Sequence, residues 1–174
     1  EPDLDLRIGL AERHQMARMF LEDFQPRAGT TERLGPEACG EIQQLYASGD
    51  GGGIGFAPFQ LETGFFRGIR RDGKLVAVAG VQVVSEREGV AAVGNVFTHP
   101  ADRGQGLAQA VTSAVLEALA NRGIRTIGLN VGCTNHAAIR AYERLGFRTH
   151  IVYFEGPALR ILEPPSRPHR PRNA

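Results

Sequence analysis

Apolar positions along the chain recur with two different periods, and the point where the period changes organises the rest. Between residues 65 and 98 they fall in short blocks separated by turn signals. Residues 65–71 and 74–84 read as two strands joined by Arg71-Asp72-Gly73-Lys74. Asp-Gly favours the two-residue hairpin turn whose central residues need positive φ. A second turn at 85–89 leads to a strand at 90–98, which gives three consecutive antiparallel strands. Beyond them the spacing becomes helical. Leu107, Ala110, Val111, Ala114, Val115, Ala118 and Leu119 hold one helix face, and Gly123 stands where a helix C-terminal glycine belongs. Ile127, Leu129 and Val131 then alternate as in a strand. Asn135 caps a helix with Ala138, Ala141, Tyr142 and Leu145 on one face. Gly146 ends that helix, and 147–154 return as a strand.

The first half is less regular. Pro36 opens a helix whose apolar face is Ala38, Ile42, Leu45 and Tyr46, and the glycine-rich stretch 48–53 stops it. Residues 15–22 fit a strand or a short helix equally, and 26–31 read as a linker. Residues 164–174, rich in Pro and Arg without an apolar face, read as a disordered tail. The order of hairpins, helix, strand, helix and strand predicts an α/β (α+β) domain on a mixed, mostly antiparallel central sheet flanked by helices. The expected division is an N-terminal segment at 1–30, belonging to the end of an upstream region, a domain at 31–163, and the tail.

Composition narrows the function. The chain has 174 residues, 42% hydrophobic and 22% charged, with a net charge of +1. That balance suits a globular domain and argues against a nucleic-acid partner, which calls for a strongly basic surface. No apolar run approaches the ~20 residues of a membrane span. The acidic start Glu1-Pro2-Asp3 is unlike a secretory leader, so a cytoplasmic protein without a membrane partner is expected. The missing initiator Met fits a piece of something longer. Cys39 and Cys133 are too few and too far apart for a disulfide framework or a zinc site, and the five His show no ligand spacing. No metal is expected.

The candidate chemistry begins at Thr98-His99-Pro100-Ala101-Asp102-Arg103-Gly104-Gln105-Gly106-Leu107-Ala108, which runs from a strand end into the N-terminus of the longest helix. Such a junction aims several partnerless N–H groups one way, and the helix dipole adds positive charge, so it suits a phosphate. Gly104 and Gly106 let an anion approach the backbone, and Arg103 supplies a full charge. A plain turn is the competing reading. The P-loop pattern is absent, and the dinucleotide pattern G-x-G-x-x-G starts at Gly104 but fails at Gln109. A second stretch, residues 134–147, follows the next strand. Asn135 and Tyr142, seven residues apart, share one helix face about 10 Å apart along the axis. Each also has a plain reading, Asn135 as an N-cap and Tyr142 as a core residue with its hydroxyl at the rim.

Together these stretches resemble the GNAT superfamily of acyl-CoA N-acyltransferases. Arg103-Gly104-Gln105-Gly106-Leu107-Ala108 matches its [R/Q]-x-x-G-x-[G/A] motif. Asn135, Ala138, Ile139, Tyr142, Gly146 and Phe147 match its second signature. The resemblance covers roughly residues 65–155. Within the superfamily the chain is most similar to FR-type C-terminal acyltransferase domains, through Gln60-Leu61-Glu62-x-Gly64, Gly94-Asn95-Val96-Phe97-Thr98 and Tyr142-Glu143-Arg144-Leu145-Gly146-Phe147.

The resemblance implies the GNAT fold and acetyl-CoA as cosubstrate. Its pantetheine arm would lie between the strand ending at Thr98 and the strand at 125–131. It implies backbone contacts to that arm from Phe97 and Thr98, and to its pyrophosphate from Arg103, Gly104, Gln105, Gly106, Leu107 and Ala108. Asn135 and Ala138 would lie along the pantetheine, and Tyr142 near the sulfur as general acid. The family often has Val at the position of Thr98, which matters little where the contact is through the backbone. The implied reaction is direct transfer of an acetyl group to an amine in a ternary complex. The acceptor would be a small-molecule amine or amino acid, or else a protein, and the enzyme a monomer or homodimer. Glu62, His99, His150 and Glu155 are the candidate bases, beside a water chain. The alternatives are a catalytically silent acyl-CoA-binding or regulatory module, and a dinucleotide-binding domain.

Overall fold

The computed structural model describes residues 8–10, 13–49, 53 and 55–160. The expected tail at 164–174 and the chain start lie outside them.

In chain order the elements are β1 (Ile8–Leu10), β2 (His14–Leu21), β3 (Glu32–Arg33), α1 (Cys39–Ala47), β4 (Arg67–Arg71), β5 (Lys74–Ser85), β6 (Val90–Thr98), α2 (Leu107–Asn121), β7 (Thr126–Gly132), α3 (His136–Arg144), β8 (Phe147–Glu155) and β9 (Ala158–Arg160). Seven strands form one sheet in the order β3-β4-β5-β6-β7-β2-β8, and β1 pairs with β9 separately. All neighbours in the large sheet are antiparallel except β6 and β7. This is the mixed, mostly antiparallel sheet the pattern predicts.

The local chemistry explains the elements. Asp72 (φ 49°) and Gly73 (φ 75°) make the β4–β5 turn, the left-handed pair that Asp-Gly supplies. On one face of the sheet Ala77, Ala79, Val81, Ile127 and Leu129 meet Val111, Val115, Leu116 and Leu119 of α2, all buried. Partly buried Ala138, Ile139 and Tyr142 bring α3 onto the same cluster. On the other face α1 buries Ile42, Leu45 and Tyr46 against Leu61, Phe66, Val78 and Phe97.

Residues 15–22, ambiguous in sequence, are resolved as β2. The boundary expected at residue 30 does not set this strand apart from the sheet. β2 lies between β7 and β8, paired on both edges, with Ala17 and Met19 in the core. The stretch expected as a linker straps α2 and α3: the Arg27 N–H donates to Ser113 Oγ and the Arg27 Nη2 to Arg144 O. A short 3-10 helix at Pro58–Thr63 and the two-residue β3 carry no sequence pattern long enough to read.

Candidate active site

The parallel pair β6 and β7 is joined only at Val90/Thr126, Ala91/Ile127 and Ala92/Gly128. β6 runs on to Thr98 and β7 to Gly132 without further pairing, so the sheet opens into a V whose walls are the C-terminal halves of two parallel strands. Parallel strands that stop pairing leave N–H and C=O groups facing the gap. The His99 N–H donates to Val76 O on the far side of β6. By the alternation along a strand edge, the Thr98 amide and carbonyl therefore face the V.

At the V's mouth α2 begins. Gly106 precedes it at φ 77° with no side-chain cap, and the first intrahelical bond runs from the Ala110 N–H to Gly106 O. Among the described residues, the amides of Gly104, Gln105, Gly106, Leu107, Ala108 and Gln109 donate to no protein acceptor. A helix start with six such donors in a row has the chemistry that suits an anion. A Cβ built at Gly104 or Gly106 would meet nothing within 4 Å. Packing alone does not demand glycine there; the left-handed φ does, and it leaves the amides bare.

Arg103 ties this loop to the strand. Its Nε donates to Thr98 O at 3.2 Å and its guanidinium lies over the Phe97 ring, 5.6 Å from the centroid. Arg71 braces the loop from β4, donating to Asp102 Oδ1 and Gln105 Oε1, each at 2.7 Å. The sequence expectation thus brings Phe97, Thr98 and residues 103–108 together in one place. An open cavity of about 580 Å³ also borders Gln105 and Gly106, on the β4 side beside Arg27 and Arg70. No residue of β6 or β7 lines it, so it is separate from the V.

Asn135 and Tyr142 stand on α3. Asn135 Oδ1 accepts from the Ala138 N–H at 3.1 Å, the N-cap the sequence predicts, and its Nδ2 is uncommitted among the described residues. Tyr142 packs edge-on to Phe147 with centroids 6.0 Å apart. Its hydroxyl has no hydrogen-bond partner among the described residues, and burial pushes its pKa from 10 up to about 12. It therefore stays protonated at neutral pH, as a proton donor must.

A second polar group was not legible in the sequence. Asn95 breaks β6 at φ 56°, between the Gly80/Gly94 and Val78/Phe97 pairs, in a β-bulge. Three contacts hold it. Tyr46 donates its hydroxyl to Asn95 O at 3.0 Å, while Asn95 Nδ2 donates to Gln60 Oε1 at 3.1 Å and to Val81 O at 3.3 Å. Gln60 is itself buried and bonded to the Ala57 N–H and to Gly55 O. Asn95 Oδ1 and Thr98 Oγ1 are buried without a partner among the described residues. A left-handed non-glycine residue at the opening of a split sheet was the available signal, but single residues of that kind leave no period to detect.

The four candidate bases scatter. His150 bonds Glu22 Oε1 at 2.9 Å on β8, and Glu155 accepts from the Tyr153 hydroxyl at 3.1 Å. His99 accepts from the Ala101 N–H beside the loop. Glu62 lies exposed in the 3-10 helix. None of these contacts reaches Asn95, Thr98 or Tyr142.

The described geometry is an open mixed sheet, split between two parallel strands beside a helix start whose first amides have no acceptor among the described residues. The chain belongs to the Acetyltransferase (GNAT) family, whose model matches residues 50–147. It is 39% identical over 88 residues to mycothiol acetyltransferase of Streptomyces avermitilis, covering 51% of this chain and 28% of that protein. It is 37% identical over 79 residues to the [ribosomal protein bS18]-alanine N-acetyltransferase of Escherichia coli K12, covering 45% of this chain and 51% of that protein. The chain thus spans only part of these relatives. A GNAT-family structure from Novosphingobium aromaticivorans superposes with a TM-score of 0.72 at 29% identity, over 87% of this chain and 65% of that one. No helix among the described residues is long and apolar enough to cross a membrane.

Proposed function

We propose that this domain transfers an acetyl group from acetyl-CoA to an amine. The observation that carries the reading is the run of acceptor-free amides at 104–109, set at the mouth of the V between β6 and β7. The residues fit the cosubstrate. Bare amides from Gly104 to Ala108, with Arg103 beside them, suit a pyrophosphate. The Thr98 backbone edge and Asn135 Nδ2 suit the amide groups of a pantetheine arm, and Phe97 and Ala138 flank them. The thioester supplies an activated acyl carbon.

On this reading the amine nitrogen attacks the carbonyl carbon, the C–N bond forms and the C–S bond breaks. The departing sulfur takes a proton from the Tyr142 hydroxyl, and the amine gives up its own to solvent or a base. An N–H facing the V stabilises charge on the carbonyl oxygen. Holding both substrates in one cleft supplies much of the remaining rate, and no covalent enzyme intermediate is needed. The two named relatives act on a small molecule and on a protein, and a small amine or amino acid is the acceptor proposed here.

The test is incubation with acetyl-CoA and a panel of amines, read as free thiol and acetylated product. Amine-dependent thiol release supports transfer. Saturable CoA binding without release for any amine would favour the silent acyl-CoA-binding module. Binding of NAD but not CoA in thermal-shift assays would return the domain to the dinucleotide class.

A further inference from the structure

Among the described residues, α1 covers its face of the sheet over β5 and β6, and on the same face Arg18, Asn130 and Ile151 of β2, β7 and β8 are exposed. On this face, one strand behind the β7 wall of the V, stands Arg18. Its Nε donates to Asn130 Oδ1 at 3.0 Å, and its guanidinium lies over the Tyr153 ring, 5.0 Å from the centroid. Tyr153 is held in turn by its hydroxyl bond to Glu155. The register places this group along the V. Ala92 pairs with Gly128, and Asn130 lies two residues further along β7, so it stands level with Gly94 and the Asn95 bulge on the opposite wall. Phe20 covers Gly128 just behind, where a Cβ would meet its ring at 3.1 Å, and so closes the inner end of this face.

Two features make Arg18 more than a solvated charge. Its side chain is fixed from two directions, by a hydrogen bond along one edge and a ring against its plane, which lowers the entropy cost of using it. It also has no carboxylate partner among the described residues, unlike Arg70, Arg71 and Arg122, which pair with Glu32 and Glu41, with Asp102, and with Glu86 respectively. With Nε committed to Asn130 and the guanidinium also beside the Tyr153 hydroxyl, its remaining Nη donors meet no carboxylate among the described residues, and a guanidinium so placed can take one through charge-assisted hydrogen bonds.

We propose that Arg18, oriented by Asn130 and Tyr153, is a carboxylate-recognition subsite, and that the acceptor is an amine that also carries a carboxylate. The inference rests on the acyl-transfer reading above, which places the acceptor amine in the V. An anionic group gripped at Arg18 leaves the amine end of a small molecule free to reach the Asn95 level of the opposite wall.

The experiment compares alanine and phenylalanine with their amides as acceptors, in the parent, Arg18→Gln, Arg18→Lys and Arg148→Gln. Arg148 lies on β8 opposite Phe20 and controls for general charge. The parent should prefer each acid over its amide by roughly 10- to 100-fold in kcat/KM, the scale of a charge-assisted pair of hydrogen bonds. Arg18→Gln should erase that preference through KM, with turnover on the amides unchanged. Arg18→Lys should restore only part of it, and Arg148→Gln should retain it. A preference that survives Arg18→Gln, or is absent from the parent, overturns the subsite. A direct binding measurement separates this from failure of the acyl-transfer reading. With CoA present, N-acetylalanine should bind the parent more tightly than N-acetylalaninamide does, and equally with it in Arg18→Gln. Equal binding of the two in the parent overturns the subsite even where no amine is acetylated, while unequal binding without turnover supports it and sinks only the transfer reading.

Discussion

At the scale of single residues, Tyr142 carries the most testable chemistry. Its hydroxyl has no partner among the described residues and its ring packs edge-on to Phe147, so Tyr142→Phe removes a proton donor with little change in packing. Turnover should fall by on the order of 10²-fold if the phenol assists the leaving sulfur. CoA affinity, measured by calorimetry, should hold, and the loss should shrink with a donor whose thiol is more acidic. The sign of the pH dependence follows from burial. Only the protonated phenol can donate, and desolvation raises its pKa to about 12, so its ionisation should cost no activity through pH 10. An alkaline fall centred near 10 that disappears in Tyr142→Phe would mean that the hydroxyl is solvated in the working enzyme.

At the scale of elements, what was legible is what has a period or a strong local rule. The α2 face from Leu107 to Leu119, the Asp72-Gly73 hairpin and the Asn135 cap depend on spacing or on one residue's conformational preference, and each stands where the pattern put it. β2 was not legible as a strand because both of its edges are paired and its two faces meet different surroundings. Ala17 and Met19 point into the core, while Arg18 faces the open side, and Met16 and Phe20 are only partly buried. Its role depends on β7 and β8, more than a hundred residues away, which no local window contains. Met19→Ala should therefore cost about 2–5 kcal/mol in urea denaturation, the range for truncating a buried Met. A loss well under 1 kcal/mol would show that β2 is a detachable segment, as the boundary at residue 30 supposed. The loop before α2 makes the complementary case. Its bare amides were legible because they follow from two glycines and a helix start. Gly106→Glu sets a side chain and a negative charge over those amides, at a position where a Cβ has room but the left-handed φ of 77° strains any residue other than glycine. CoA binding should be abolished while the native circular dichroism persists. Retained affinity would move the phosphate site elsewhere.

At the scale of the whole molecule, the sheet has two halves whose backbones pair only along a short seam, over a side-chain core that both share. One consists of β3 to β6 with α1, the other of β7, β2 and β8 with α3. Three residue pairs at the base of the V make that seam, and α2 packs chiefly on β4, β5 and β6. Beyond Ala92 and Gly128 no backbone bond crosses the gap. A ligand bound along the V would touch both bodies, supplying cross-links that the chain itself does not make. The resulting stabilisation is set by mass action, about 2.7 kcal/mol at a ligand concentration one hundred times Kd. It should also have a pattern. In hydrogen exchange, CoA should slow the amides of residues 104–109, which have no protein acceptor, by direct bonding. It should also slow residues 129–132 of β7 and the start of α3, although these lie across the gap from the phosphate loop. Protection confined to 104–109 would place only the phosphates on the protein and leave the pantetheine arm outside the V. Protection on both walls would make the split sheet and the helix start parts of one binding site.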